Sequence, residues 1–445
     1  MNMDSILQKL GIDQLNAMQQ EALQAILRGR GDVVVLSPTG SGKTLAYLLP
    51  LVQLLDAASS EVQALVVVPG RELALQSATV LKNMGTGLRS QACYGGRTAM
   101  EEHRLLRQHL PQVVFGTPGR LNDHLDKGNI SPHHIKYIVI DEFDKCLEMG
   151  FHDAMSRLLS QLSALQRRFL LSATDAEQLP RFVDMGRSVR LDYLVAEEPV
   201  NDRVEVYQVD CPEKDKLDTL CQLLLQLGNG QSIVFLNYRD SVERVDAYLR
   251  RQGFVTSAFH GGLEQRQRED ALYKFSNGSA TVLVATDLAS RGLDIPQIDN
   301  IIHYHLPQSE AALVHRVGRT ARWDKLGRTF FLVGPAEAPT GIPCLAEAPE
   351  HWSLPSADEA GTRTAPLPRM ATIYIGKGKK DKISKGDIVG FLCKMGGLDP
   401  SEIGRIDVSE RYAYAAVSRP RLSALLQSVK GQKIKGLRTV IETVR

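Results

Sequence analysis

The stretch Val33–Thr44, VVVLSPTGSGKT, leads directly into TLAYLLPLV (44–52) and decides how the chain folds. Four consecutive apolar residues, Val33 to Leu36, predict a strand buried on both faces, as in a parallel sheet covered by helices. The loop that follows carries Gly40 and Gly42, which let backbone N–H groups close around phosphate. The helix after it adds the positive potential of its N-terminus. Lys43 is placed to reach a β- or γ-phosphate, and the Thr44 hydroxyl to hold Mg²⁺. Ser37 stands where the general P-loop pattern has glycine.

The same alternation extends in both directions. Short apolar runs (ALVVVPG, QVVFGTPGR, YIVIDE, RFLLSAT) separate helical patterns up to about residue 210, and a second set begins near Val204 with VEVYQVD, QSIVFLN, TVLVATD, NIIHYHLP and RTFFLVG. Strands alternating with helices predict two α/β domains in tandem, 1–200 and 203–335, hinged at DYLVAEEPVND (192–202). Seven prolines then fall between Pro335 and Pro368, and periodicity is lost. That composition predicts a linker over 336–369. Residues 370–445 give strand, helix, two strands, helix, strand, a βαββαβ plan of the ferredoxin type.

A phosphate-binding loop that works with a divalent cation needs a second carboxylate on a neighbouring strand. KYIVIDEFDKCLEMGF (136–151) supplies one. Its apolar strand runs straight into Asp141, Glu142 and Asp144, and acids at a strand's carboxyl end in an open α/β sheet face the ligand crevice. Asp141 is the candidate metal ligand, and Glu142 the candidate for polarising an attacking water.

With those two segments in place the chain resembles a DEAD-box ATP-dependent RNA helicase of superfamily 2 over residues 10–335. MQQEA resembles the adenine-sensing Q motif, with Gln19 as its glutamine. SPTGSGKT, PGREL, Gly95-Gly96, TPGR, DEFD and SAT follow in family order, then VFLN, HGGLEQRQRE, ATDLASRGLDIP and HRVGRTAR. The resemblance implies two RecA-like domains with ATP and Mg²⁺ bound in the cleft between them. Thr39, Gly40, Ser41, Gly42, Lys43 and Thr44 would cradle the phosphates, Thr44 and Asp141 the metal, and Asp294 the ribose. Arg319 and Arg322 would act on the γ-phosphate from the second domain. RNA contacts map to Arg71, Gly96, Thr117, Arg120, Arg268 and Thr286, while Ser172 and Thr174 would couple Asp144 to the second domain. Contacts of this kind fall mostly on phosphate and sugar and carry little sequence preference.

The chain departs from the family at several positions. Phe143 replaces alanine between the acids, and its ring is expected among apolar neighbours just past the strand end. Gly70 replaces a threonine in the motif containing Arg71. Asn16 stands for the Q-motif threonine, and Asn2 for an aromatic that would stack on adenine.

The last domain resembles the RNA-recognition motif, and IGKGKKDKISKGDIVGFL (375–392) resembles the RNA-binding domain of the DbpA group within that family. That resemblance implies large-subunit ribosomal RNA or pre-ribosomal particles as partner. Charge agrees: residues 371–445 hold 15 Lys/Arg against 7 Asp/Glu, the rest 38 against 44. A basic appendage on an acidic body suggests a nucleic-acid partner for the tail. Lys377, Lys379, Lys380 and Lys382 form a basic loop. Tyr412 and Tyr414 have the period-2 spacing to share one sheet face, either stacking on bases or covering a helix.

The bulk properties exclude other classes. No apolar run reaches 18 residues, so no membrane span is expected. The start lacks a basic segment followed by a long apolar core, against a secretory signal. Six scattered cysteines form no C-x-x-C pair, which fits a reducing cytoplasm better than a disulfide framework or zinc site. A monomer is expected. An unwinding enzyme and an ATP-gated RNA clamp share every motif, and a DNA helicase of the same superfamily is the further alternative.

Overall fold

The computed structural model describes residues 3–38, 40–95, 99–174, 183, 185–194, 204–290, 298–317, 327–337, 348–355 and 364–444. Thr39, Gly96, Asp294, Arg319 and Arg322, all expected at functional sites, lie outside the described residues, as do Asn2 and most of the expected hinge. The chain divides into two compact units, one up to residue 199 and one from residue 200 onward.

The first unit holds seven parallel strands: β1 (Asp32–Leu36), β2 (Ala64–Val67), β3 (Ser90–Cys93), β4 (Val113–Gly116), β5 (Tyr137–Ile140), β6 (Arg167–Ser172) and β7 (Ser188–Asp192). Their order is β3-β4-β2-β5-β6-β1-β7. Val33 and Val35 of β1 enter one apolar cluster and Val34 and Leu36 the other, so helices cover both faces. Because β6 lies between β5 and β1 and all three run parallel, the P-loop, the acidic turn and the SAT turn leave side by side at the carboxyl end of the sheet. Leu36 pairs with Ser172, and Ile140 with Leu170.

The second unit opens with the same plan. Its strands β8 (Val204–Asp210), β9 (Ser232–Phe235), β10 (Thr256–Phe259), β11 (Val282–Ala285), β12 (Asn300–His303), β13 (Gly327–Val333) and β14 (Glu350–His351) run in the order β10-β11-β9-β12-β13-β8-β14. Alternate residues of β13 again serve opposite faces, Phe330 and Leu332 on one and Phe331 and Val333 on the other.

The third sheet, also in this unit, is antiparallel. It contains β15 (Met370–Ile375), β16 (Ile403–Val408), β17 (Ala413–Ser418) and β20 (Ile441–Thr443) in the order β16-β17-β15-β20. A two-stranded hairpin, β18 (Lys433–Ile434) and β19 (Leu437–Arg438), precedes the last strand. The helices Lys385–Lys394 and Leu422–Ser428 pack on the face carrying Ile373, Ile375, Ala413, Ala415 and Val417. The expected βαββαβ order is present, with that hairpin added.

One expectation needs correction. The proline-rich stretch is not a linker throughout, because Glu350–His351 adds to the second sheet beside Tyr207 and Gln208. Trp352 anchors it, with its ring 4.8 Å from Tyr207 and 5.2 Å from Phe330 and its N–H donated to Gln226 Oε1 at 3.0 Å. One aromatic side chain supplies burial that a proline count conceals. Trp352→Ala is expected to destabilise the second unit by on the order of 2 kcal/mol, since the ring is half-buried, measured by chemical denaturation.

Candidate active site

Glycine is required at two points of the P-loop. Gly40 and Gly42 both sit at φ 87°, a left-handed conformation that L side chains avoid. A Cβ on Gly42 would also lie 2.3 Å from Gln19 Nε2. Lys43 opens the helix Lys43–Leu54, and its ammonium donates to the carbonyls of Ser37 and of Pro38, the latter at 2.7 Å. The charge is thus held over the loop that a phosphate would enter, and the Thr44 side chain lies in the next position of the same turn.

The Q-motif residues brace this loop. Gln19 Nε2 donates to the Gly42 carbonyl at 3.2 Å, and Asn16 Nδ2 to the Ser41 carbonyl at 2.9 Å. Asn16 and Gln19 also form a capping box at the start of the helix Ala17–Arg28. Asn16 thus caps this helix and also ties it to the P-loop.

Asp141 immediately follows β5 and is buried. Burial pushes its carboxyl up to about 6, opposed chiefly by the charge of Lys43. The Glu142 N–H donates to Asp141 Oδ1 at 3.0 Å. Glu142 itself sits at φ 53°, ψ 51°, a left-handed conformation that costs a non-glycine residue about 1–3 kcal/mol and clusters at functional sites. That turn sends the Phe143 ring inward, 1% exposed, into the apolar cluster of Ile140, Met155 and Leu158, as expected from its place after the strand.

Asp144 Oδ2 accepts from Thr174 Oγ1 at 3.0 Å, and Ser172 Oγ donates to the Thr174 carbonyl at 2.6 Å. The three residues assigned to coupling are therefore joined in one hydrogen-bonded group where β5 and β6 end.

Of the residues expected at RNA, Arg71 opens the helix Arg71–Asn83, and Thr117 is the N-cap residue of Pro118–Asp126, which carries Arg120. A buried carboxylate fixes this arginine: Glu102 lies 3.3 Å from Arg120 and 3.0 Å from His124 Nε2. Its other oxygen accepts from the Tyr94 N–H at 2.9 Å. His124 Nδ1 faces Asn129 Nδ2 at 3.1 Å, an amide donor, so the Nε2 nitrogen carries a proton toward Glu102. Cys93, Glu102 and His124 bring their ligand atoms within 4.8 Å of one another, yet the Arg120 guanidinium balances the Glu102 charge while an amide and an imidazole N–H occupy its oxygens.

In the second unit, Thr286 follows β11, half-buried, and Arg268 lies on the helix Gln265–Ser276, 4% exposed. Arg316 was not anticipated as a site residue. Fully buried, it holds Asp287 with two nitrogens at 2.5 and 3.1 Å, Asn237 Oδ1 at 2.8 Å and the His305 carbonyl at 2.9 Å. It ties together the segments VFLN, ATDLAS and HRVGR. The available signal was a lone arginine inside the apolar helix Glu310–Val317. Next to it His303 is kept neutral, first by burial and then by the Arg316 charge.

In the last domain Lys379, Lys380 and Lys382 are exposed, whereas Lys377 is half-buried and paired with Asp381 at 2.9 Å. The tyrosines do share a face, and Tyr374 joins them opposite Tyr414. That face is covered, which favours the second of the two readings, covering a helix, over stacking on bases. Tyr414 is 4% exposed, lies 4.8 Å from the Tyr273 ring, and donates to Asp270. Tyr412 donates to Glu269 at 2.5 Å. Tyr273, Asp270 and Glu269 all belong to Gln265–Ser276, so a helix of the second parallel-sheet domain occupies the place of bases. The period-2 pattern shows which side chains share a face but not what covers them.

Comparison with known proteins follows the same three-part division. The DEAD/DEAH box helicase family matches residues 16–182, the helicase conserved C-terminal domain 215–324, and the DbpA RNA binding domain 372–443. The ATP-dependent RNA helicase DbpA of Escherichia coli (strain K12) is 37% identical over 440 residues, covering 97% of this chain and 94% of that protein. DbpA of Bacillus subtilis (strain 168) is 29% identical over 97% of this chain and 95% of its own length. Among solved structures, S. cerevisiae Dbp5 bound to RNA and ADP BeF3 superposes with a TM-score of 0.70 at 25% identity, over 78% of this chain and 93% of that one.

Removing one partner of a buried ion pair leaves the other charge uncompensated. Arg316→Ala is therefore expected to cost the second unit about 3–5 kcal/mol in denaturant unfolding. The first unit, melting separately, should keep its midpoint.

Proposed function

Because the chain belongs to the DEAD-box ATP-dependent RNA helicases, in the branch that ends in a DbpA RNA-binding domain, we propose that it hydrolyses ATP at Lys43, Asp141 and Glu142 and uses the cycle to open structured RNA locally. The observation that carries this assignment is the convergence of Lys43, Asp141 and the Asp144–Thr174 pair at the ends of the adjacent strands β1, β5 and β6.

Each residue has a defined task. Lys43 and the Gly40–Gly42 amides bind the β- and γ-phosphates. Glu142, held in a fixed turn, orients and deprotonates the attacking water. Thr44 and Asp141 would hold Mg²⁺: their hydroxyl and carboxylate oxygens are hard donors, and a buried carboxylate beside one lysine has room in its charge balance for a cation. When bound, the metal would supply charge neutralisation for the phosphates. Phosphoryl transfer is catalysed by positioning and charge, and an arginine finger contributes about 10³–10⁵ in rate. That is about 4–7 kcal/mol of barrier. Arg319 and Arg322 are the proposed fingers. RNA held by Arg71, Thr117 and Arg120 in one domain and Arg268 and Thr286 in the other favours the closed state that brings them in. By linkage, ATP then tightens RNA binding.

For the address, the exposed Lys379, Lys380 and Lys382 support a tail that grips structured RNA, and the DbpA-type domain favours large-subunit ribosomal RNA within pre-ribosomal particles in the cytoplasm. RNA crosslinked in cells and sequenced should concentrate there; a uniform spread over cellular RNA would overturn that assignment.

Two measurements test the core proposal. ATP turnover should rise on adding RNA and much less with DNA of the same sequence, because sugar contacts distinguish the 2′-hydroxyl. Equal stimulation would point to a DNA helicase, and RNA-stimulated turnover without strand separation in a duplex assay to an ATP-gated clamp. Glu142→Gln should leave ATP binding within about twofold while lowering turnover at least tenfold, since general base catalysis contributes about 10²–10⁴. Turnover above a tenth of the parent enzyme would identify a different base.

A further inference from the structure

The helix Gln265–Ser276 has two clients. One side meets the tyrosine face of the last domain, and its first turn carries Gln265 and Arg268. A continuous hydrogen-bonded chain joins them. The Tyr412 phenol donates to Glu269 Oε2 at 2.5 Å. The other oxygen of Glu269 accepts from Gln265 Nε2 at 3.0 Å. The Gln265 oxygen in turn accepts from an Arg268 guanidinium nitrogen at 2.8 Å.

We infer that Tyr412 is a positioning residue for Arg268, so that the RNA-binding domain tunes the RNA grip of the helicase core as well as addressing the enzyme. This rests on the proposed assignment of Arg268 to RNA. The physical basis is directional. A carboxamide offers one acceptor and one donor end. With Glu269 accepting from its nitrogen, Gln265 is oriented so that its oxygen meets the guanidinium. Glu269 is itself held by a donor from another domain. The remaining contacts make that donor stationary. Tyr273 donates to the Arg405 carbonyl at 2.7 Å, Asn277 to Thr372 Oγ1 at 2.8 Å, and Arg419 to the Ser279 carbonyl at 3.0 Å. The Arg266 guanidinium lies 4.5 Å from the centre of the Tyr374 ring. The docked surface thus surrounds the chain on several sides.

Removing the whole domain would uncover Tyr273 and confound the result, so single atoms are the better test. In the full-length enzyme, ATPase is titrated with an unstructured single-stranded RNA, which the tail's own address does not favour. Tyr412→Phe keeps the ring and deletes the donor. It should raise the RNA concentration for half-maximal stimulation about threefold or more, with maximal turnover changed less than about twofold. Arg268→Ala should raise that concentration about tenfold, and adding Tyr412→Phe to Arg268→Ala should change nothing further. Effects of the two substitutions that simply multiply would mean that Tyr412 acts on general stability, and would overturn the proposal. So would an unchanged half-saturation point in Tyr412→Phe while Arg268→Ala is impaired. An unimpaired Arg268→Ala would instead overturn the assignment of Arg268 to RNA. Thermal melting of each variant identifies any that fails to fold, and Glu269→Ala, which breaks the chain from inside the helicase domain, then replaces Tyr412→Phe.

Discussion

A parallel sheet delivers the carboxyl ends of all its strands to one side, and that constraint organises both RecA-like domains. Backbone pairing fixes β1, β5 and β6 side by side. The turns that leave them must then share a crevice whatever their sequences. Evolution has only to choose residues for those turns. Lysine at one, aspartate at the next and a Ser/Thr pair at the third give a cation, an anion and a hydroxyl relay within reach of each other. The buried Asp141 marks the cost of the arrangement. Enclosure resists its charge, and Lys43 is the first group that offsets this.

What was legible in the sequence follows from how local the cause is. The P-loop depends on glycine torsions and a strand-to-helix transition, both encoded within a dozen residues. The acidic turn is equally local, and Phe143 could be assigned inward because it follows a strand already buried on both faces. The roles of Trp352 and Arg316 were not legible. Trp352 belongs to a stretch whose prolines argue for a linker, and only a distant surface at Tyr207 and Phe330 makes its indole worth ordering. Arg316 owes its burial to Asp287 and Asn237, which lie 29 and 79 residues earlier in the chain. No periodicity records such partners.

Phe143 and Glu142 show how one turn reconciles two demands. The chain must point an acid at the phosphate edge and, one residue later, a large ring into the core. Regular strand geometry would alternate the two, but helix Phe143–Glu148 begins at once. The left-handed torsions of Glu142 resolve the conflict by reversing the backbone within a single residue. Such torsions set the direction in which the Glu142 side chain leaves the backbone, toward the same strand ends as Asp141.

The tyrosine face of the last domain extends this logic to tertiary scale. A four-stranded sheet with helices on one side leaves its other side to find a partner, and aromatic residues there serve bases or protein equally well. Acidic Glu269 and Asp270 decide between them. Carboxylates repel a phosphate backbone but accept hydrogen bonds from phenols readily, and both phenols are held protonated, first by burial and then by these neighbouring acids. The covered face therefore offers no open stacking platform, and the exposed lysines are left as the proposed RNA contacts of this domain. A docking contact that covers this face thus connects, through Gln265, to the arginine assigned to RNA on the core.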